Sequence, residues 1–399
     1  MSALDSGELP DVDRKAAVDL VLEMMAVPGK SGDEAQVAAL IRRKLRAAGI
    51  KKTAVVEDRV PRKSPLNGEC GNLIVKVPGT VRGPRRLLMA HIDTVPLCVG
   101  SRPVRRGNVI TSRDPHTALG ADDRAGASVI LNAILEIRRQ RLPHPPLTLF
   151  WPVQEEIGLY GVRYASIGKL GRPNLCFNWD GGSAYHVTIG ATGDYNMEIE
   201  IDGIASHAGA RPEQGVSAIA VAGLAIADLV SNGWHGLVIK GANVGTSNIG
   251  YVNAGEATNV VTPHLTLHAE VRSHDPRFRE RLLKEFRRAF EKAAQAVKND
   301  EGRPAGVRFS SELRYESFRL SEKQPCVKTA ISAVQAIGLD PIVQIANGGL
   351  DANWLSARGL PTVTLGCGQR HAHTVNEELH VDDYLNACRL GLLLATGHT

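Results

Sequence analysis

Histidines and carboxylates capable of metal chemistry occur at five separated points in this chain: His91-Ile92-Asp93, Asp122-Asp123, Glu155-Glu156, Asp180 and His373. Imidazole nitrogen and carboxylate oxygen are zinc ligands. Two zinc ions about 3.5–4 Å apart need a bridging carboxylate, and five protein ligands with one of them bridging are a reasonable minimum for such a pair. Hydrolysis needs one more carboxylate, free of the metals, to take the proton of the attacking water. The adjacent Glu155 and Glu156 offer one ligand and one base. Asp93, two residues beyond His91, is placed to hydrogen-bond the imidazole and fix its tautomer.

Each of these residues also has an ordinary explanation. Asp122 or Asp123 suits a helix N-cap or first turn. A histidine after a strand is commonly just hydrogen-bonded, and a Glu-Glu pair is commonly solvated. Asp180 before Gly181-Gly182 suits a turn. Their shared placement argues for one site. His91, Glu155-Glu156, Asp180 and His373 follow the apolar runs 87–90, 147–153, 175–179 and 362–365, and open α/β sheets bind ligands at the carboxyl ends of their strands. Asp122-Asp123 opens a helical pattern instead, after Leu119-Gly120-Ala121.

The elements that must position these residues follow from periodicity. Helices are predicted over 12–27 and 33–48, the second with Ser31 and Glu34 at capping-box spacing and Gly49 just past its end. A further apolar run, 73–77, reads as a buried strand, and helical patterns at 124–140 and 327–337 separate several of the runs. This alternation predicts an α/β fold with a mixed, mostly parallel sheet and helices on both faces. The middle of the chain differs. Strands at 195–202, 246–252, 265–272 and 307–313 and helices at 216–230 and 276–297 give the order β-α-β-β-α-β, an α+β ferredoxin-like arrangement. The expected organisation is a discontinuous catalytic domain, 1–189 and 318–399, around an inserted domain, 190–317. Gly-rich joins at Gly181-Gly182 and 190–193 offer a hinge.

Bulk properties narrow the class. With 399 residues, two or three domains are expected. A net charge of +5 is spread along the chain, with three arginines in 102–106 as its nearest approach to a cluster, which argues against nucleic acid as a partner. Six cysteines occur without a Cys-x-x-Cys pair, as in a reducing compartment. Residues 1–13 lack a signal-peptide pattern, and no apolar run is long enough to span a bilayer. A cytoplasmic protein without membrane attachment is expected.

Taken together, His91-Ile92-Asp93-Thr94-Val95, Gly120-Ala121-Asp122-Asp123-Arg124-Ala125-Gly126, Glu155-Glu156-Ile157-Gly158, Asp180-Gly181 and His373-Thr374-Val375-Asn376-Glu377 resemble the signature set of the zinc aminoacylase/carboxypeptidase/peptidase T family, and within it peptidase T, the tripeptide aminopeptidase. The resemblance covers nearly the whole chain, with the motifs in order. It implies a zinc-exopeptidase-like catalytic domain holding two Zn2+ (Co2+ or Mn2+ could fill the same sites). Asp122 would bridge, His91 and Asp180 would hold one ion, and Glu156 and His373 the other. Glu155 would be the general base and then the acid toward the leaving amine, with Asp93 orienting His91. The insertion would be a lid and dimerisation domain of a homodimer. Its His207, in Ser206-His207-Ala208-Gly209, would stabilise the oxyanion from the partner subunit, and its Arg272 would grip a substrate carboxylate. Asn248 and Asn259 are further polar candidates for substrate contact. His371 rivals His373 as ligand, but the run after His373 favours the latter. One departure stands out: Asn347 precedes Gly348-Gly349-Leu350-Asp351 where the resemblance leads one to expect a basic residue. The expected function is cleavage of short peptides as an aminopeptidase. An aminoacylase or carboxypeptidase acting on N-acyl amino acids or dipeptides is the alternative. A non-catalytic metal-binding module is the remote one, since it would lack a ligand or the base, and none is missing.

Overall fold

Strands that are buried at every position belong in a sheet covered on both faces. The computed structural model, which describes residues 9–58 and 60–398, contains such a sheet, nine strands wide. Its middle is four parallel strands in the order Leu147–Trp151, Arg86–Met89, Leu175–Trp179 and Thr362–Leu365. Every residue of the four is buried. Antiparallel pairings lie to either side, where Leu73–Val77 joins Leu147–Trp151 and His186–Ala191 joins Thr362–Leu365. Helices Arg14–Ala26, Ala121–Gln140 and Val381–Thr396 pack on one another. The short helices Tyr160–Tyr164 and Asp351–Ala357 close a separate apolar cluster around Leu87, Met89, Phe150, Val162 and Leu355.

Most predicted elements are present with ends moved by a few residues. The first helix starts behind Asp13, whose carboxylate accepts the Ala16 N–H at 2.9 Å. The second, Ala35–Ala47, corrects one expectation. Ser31 and Glu34 do not form a capping box. The Ser31 hydroxyl donates to Asp93 at 2.7 Å, and Glu34 accepts the N–H groups of Gly32 and Gln154 at 2.9 and 3.1 Å. Both side chains are buried, so the interior loops claim them and the helix end does without. Gly49 ends this helix in the left-handed conformation, φ +79°, as glycine readily does.

A small four-stranded sheet was not legible in the sequence. It runs Gln369–Arg370, Glu378–His380, Val109–Ser112, Pro103–Arg106, all antiparallel. Its strands are only two to four residues long, too short for a periodicity signal. It matters because Gln369–Arg370 and Glu378–His380 fasten both ends of the loop that carries His373.

The chain divides into two units, Met1–Ala191 with Arg319–Thr399, and Thr192–Phe318. The second is a five-stranded antiparallel sheet in the order Gly306–Tyr315, Gly193–Asp202, His264–Ser273, Asn243–Ala254, Gly236–Lys240. Helices Ala218–Ser231 and Pro276–Ala296 enclose its core with Ile199, Leu267, Val271, Leu282 and Phe286. Asp275 caps the longer helix by accepting the N–H groups of Arg277 and Phe278. Four strands and two helices reproduce the β-α-β-β-α-β order. The strand Gly236–Lys240 is an addition, turned back through Gly241 at φ +64° onto the sheet's edge. The sequence hides it because only Val238 of the run Leu237-Val238-Ile239 is buried.

Among the described residues no helix is long and apolar enough to cross a membrane. The reading of residues 1–13 as lacking a signal peptide falls partly on residues 1–8, outside the described ones. Phe286 is fully buried in the core of the second unit. Its replacement by Ala is expected to destabilise that unit by about 3–5 kcal/mol, measured as a lowered urea midpoint for that unit's unfolding.

Candidate metal centre

Parallel neighbours present their carboxyl ends on the same side of a sheet, and here four such ends deliver side chains to one place. His91 lies two residues beyond Arg86–Met89, Glu155 and Glu156 follow Leu147–Trp151, and Asp180 comes directly after Leu175–Trp179. His373 lies on the loop that follows Thr362–Leu365, held by the small sheet. Asp122 comes from the start of Ala121–Gln140, after Gly120 at φ +80°.

Donor atoms of these residues converge in two groups, each within 4.8 Å: His91, Asp122 and Asp180, and Asp122, Glu156 and His373. Asp122 belongs to both. Its Oδ1 lies 3.3 Å from His91 Nε2 and its Oδ2 lies 3.3 Å from His373 Nε2. Glu156 Oε2 lies 2.8 Å from the same His373 nitrogen, while its Oε1 is buried without a partner. Asp180 Oδ1 accepts from Gln369 Nε2 at 3.3 Å. A nitrogen and carboxylate oxygens meeting at two adjacent points, with one carboxylate common to both and a buried oxygen unpaired, fit a pair of divalent cations. His371 is exposed and in neither group. Both histidines adopt positive φ, +54° and +64°, and His373 is the one turned to the acids.

The neighbouring pair Asp122-Asp123 divides two roles between its members. Asp123 accepts the Gly126 N–H at 3.1 Å, a helix-start contact, and also receives Cys367 Sγ at 3.6 Å. Asp122 keeps its carboxylate for the histidines.

Buried acids in this number strongly perturb one another. Burial pushes Glu156 and Asp180 up to about 7, each with help from the negative charge of Asp122. Burial also opposes ionisation of Asp122, but His373 and His91 hold it well below the usual carboxylate range. Hydrogen bonds to Asp122 and Glu156 raise His373 to about 10. His91 resists charge through burial, yet Asp122 and Asp93 lift it well above its ordinary value. Glu155 belongs to neither metal group. Burial drives it well above its normal range, with His91 opposing.

A second layer fixes the first. Asp93 is fully buried and does more than face His91. Its Oδ1 lies 3.4 Å from His91 Nδ1, and its two oxygens accept the backbone N–H groups of Glu155 and Glu156 at 3.0 and 3.1 Å. Ser31 completes it. Glu377, quoted in the sequence motif but given no role there, accepts the N–H groups of Gly120 and Asp122 at 2.7 and 2.9 Å and so sets the backbone of the acid common to both groups. Glu34 holds Gln154, which sits at φ +56° just before the two glutamates. The place of Glu377 at the end of the motif that His373 begins was a signal for it; nothing in the sequence signalled these contacts of Ser31 or Glu34.

The remaining candidates lie in the second unit and belong to neither metal group. His207 is exposed, and its Nδ1 accepts the N–H groups of Gly209 and Ala210 at 3.2 and 3.1 Å, which leaves Nε2 as the donor of the neutral ring. Its neighbour Ala208 donates to the backbone oxygen of Asn259. Arg272 forms a two-pronged pair with Glu270 through Nε and Nη2, at 3.0 and 2.9 Å. Asn248 stands opposite Glu270 in the adjacent strand and lines a concavity of ≈ 500 Å³ on the sheet with Glu198, His268 and Glu270.

Residues 87–396 match the sequence profile of peptidase family M20/M25/M40. The chain is 29% identical over 385 residues to the YqjE protein of Bacillus subtilis (strain 168), covering 95% of this chain and 97% of that one. Aminopeptidase PepT from Bacillus cereus ATCC 10987 superposes with a TM-score of 0.83 at 28% identity, over 96% of this chain and 98% of that one. A tripeptidase from Staphylococcus aureus subsp. aureus Mu50 does so with 0.86 at 27% identity, over the same shares.

Protons on Glu156, Asp180 and His373 compete with any cation for the same atoms. Zinc uptake is therefore expected to release protons and to tighten as pH rises through about 7, where Glu156 and Asp180 titrate. Calorimetry in buffers of different ionisation enthalpy measures this; uptake near neutral pH without proton release contradicts the ligand assignment.

Proposed function

This chain belongs to peptidase family M20/M25/M40 and is a metallopeptidase, and from that premise we propose that it is a dizinc aminopeptidase of short peptides, similar in action to peptidase T. The carrying observation is the pair of three-residue groups that share Asp122. His91 and Asp180 would hold one ion, Glu156 and His373 the other, and Asp122 both. Bound there, the ions would polarise the scissile carbonyl and make water a nucleophile at neutral pH. Cobalt or manganese could serve the same donors.

The protein's own groups do the rest. Glu155 lies beside the metal groups with its backbone pinned by Asp93, and burial gives it a high proton affinity. It takes the proton of the attacking water and hands it to the leaving amine. Asp93 fixes the His91 ring while it aligns the backbone of Glu155 and Glu156, so ligand and base share one anchor. The role the resemblance implies for His207, stabilising the developing oxyanion from the partner subunit of a dimer, is supported by its Nδ1 contacts, which leave Nε2–H as the donor. Arg272 would grip a substrate carboxylate through Nη1, the nitrogen its pair with Glu270 leaves over, with Asn248 as a neutral contact on the same sheet.

Two supports concern setting. All six cysteines are buried and unpaired, which favours a reducing, cytoplasmic compartment. On the second unit, Leu237 and Ile239 of the edge strand are 66% and 59% exposed, and Leu224 and Val230 of Ala218–Ser231 are 51% and 57% exposed. An open edge carrying apolar side chains is suited to pair with a second copy, so we assign a homodimer to this unit. Asn347, standing where peptidase T-like chains are expected to carry a basic residue, argues against strict tripeptide selectivity and keeps an aminoacylase or carboxypeptidase as the second reading.

Glu155→Ala is expected to keep its zinc content while turnover falls by about 10²–10⁴-fold. Unchanged turnover removes Glu155 from the mechanism. A panel of tripeptides, dipeptides and N-acyl amino acids separates the readings, and a requirement for a free amino terminus supports the aminopeptidase. The double substitution Leu237→Asp and Ile239→Asp is expected to shift the protein from dimer to monomer in sedimentation. A wild-type monomer at micromolar concentration contradicts the dimer.

A further inference from the structure

One buried acid in the first unit has no task in the scheme above. Asp351 begins the short helix Asp351–Ala357, directly after Gly348-Gly349-Leu350, and is 1% exposed. Neither carboxylate oxygen has a hydrogen-bond partner among the described residues. Burying a carboxylate in this way is costly, by roughly 1–3 kcal/mol for each unmet group and more when it is charged. Such an exception in a folded protein calls for an explanation, and a partner from outside the chain is one.

Leu355 of its helix shares an apolar cluster with Leu87 and Met89, on the strand that leads to His91, and the charges that act on Asp351 lie in the same place. They are His91, Asp93 and Asp180, and Asp351 in turn acts on Glu155. All four belong to the metal centre or its immediate support. Asp351 itself is in neither metal group. Burial, joined by Asp93 and Asp180 and opposed by His91, raises its proton affinity well above the usual carboxylate range, so a partner that donates hydrogen bonds and carries positive charge would be the one to hold it ionised. An ammonium group does both, with three donors on one cation.

We infer that Asp351 receives the α-ammonium group of the substrate's first residue and thereby makes a free amino terminus a requirement. This deepens the aminopeptidase reading and rests on it. The α-carbon of that residue bears both the ammonium group and the scissile carbonyl. A carboxylate that fixes the former therefore sets the register of the latter toward Glu155. Low exposure to water strengthens the attraction relative to a surface pair. Asp351 is thus a specificity-determining residue rather than a metal ligand or proton carrier.

The test compares trialanine with propionyl-dialanine, which differs only by a hydrogen in place of the ammonium group. The wild type is expected to prefer trialanine. Asp351→Asn is expected to lower kcat/KM for trialanine by about 10–100-fold, chiefly through KM. Turnover of propionyl-dialanine and zinc content are expected to stay as they were. Equal losses on both substrates, or none on trialanine, overturn the inference. A wild type that cleaves both equally well overturns the aminopeptidase reading and the inference with it. Zinc content and the unfolding transition show whether the Asn variant folds. If it does not, Asp351→Ser takes its place: a loss confined to trialanine supports the inference, and equal losses or none overturn it.

Discussion

The carboxylate of Asp122 faces two imidazoles, one from each of its oxygens. That double engagement organises everything around it. Glu156 and Asp180 lie close enough for the charge of Asp122 to raise their proton affinity. Without compensation, acids this close and this buried would repel one another and resist ionisation. The histidines supply part of the compensation, and cations supply the rest in the proposed holoenzyme. The fold has to hold mutually repelling groups together, so the frame beneath them must be rigid.

The frame meets that demand with buried acceptors aimed at backbone. Asp93 accepts from Glu155 and Glu156, Glu377 from Gly120 and Asp122, and Glu34 from Gly32 and Gln154. Each binds the chain beside a functional side chain, so the side chains themselves remain free for chemistry. A hydrogen bond from a backbone N–H to a carboxylate is among the stronger polar contacts in a protein interior. The positive φ of Gln154 is held in place by Glu34 at its own N–H and by Asp93 at the two N–H groups that follow.

The second unit follows a different logic. Its sheet is covered by helices on one face, and the polar residues of the other face pair among themselves, as Arg272 does with Glu270. His207 is tied by its own loop so that one ring nitrogen is spent on backbone and the other is offered outward. The edge strand Gly236–Lys240 exposes apolar side chains that the unit's own core does not use.

Side-chain type and local position marked His91, the pairs Asp122-Asp123 and Glu155-Glu156, Asp180 and His373 as candidates, because ligand chemistry restricts residue type and most of them follow an apolar run; the resemblance chose Asp122 and Glu156 within the pairs and His373 over His371. The same local signals gave the parallel α/β core and the β-α-β-β-α-β insertion. They failed for short strands, for Gly236–Lys240 and for the supposed capping box at Ser31 and Glu34. Only the tertiary structure decided those, since strands of two to four residues carry no period and a serine's hydrogen-bond partner depends on what packs against it. Glu377 meets Asp122 across 255 residues of chain, and Ser31 meets Asp93 across 62. Asp351 is distinguished by having no hydrogen-bond partner among the described residues, which no spacing in a sequence can display. Local chemistry marked the candidate ligands in the sequence; contacts between distant segments determined which groups hold them in place.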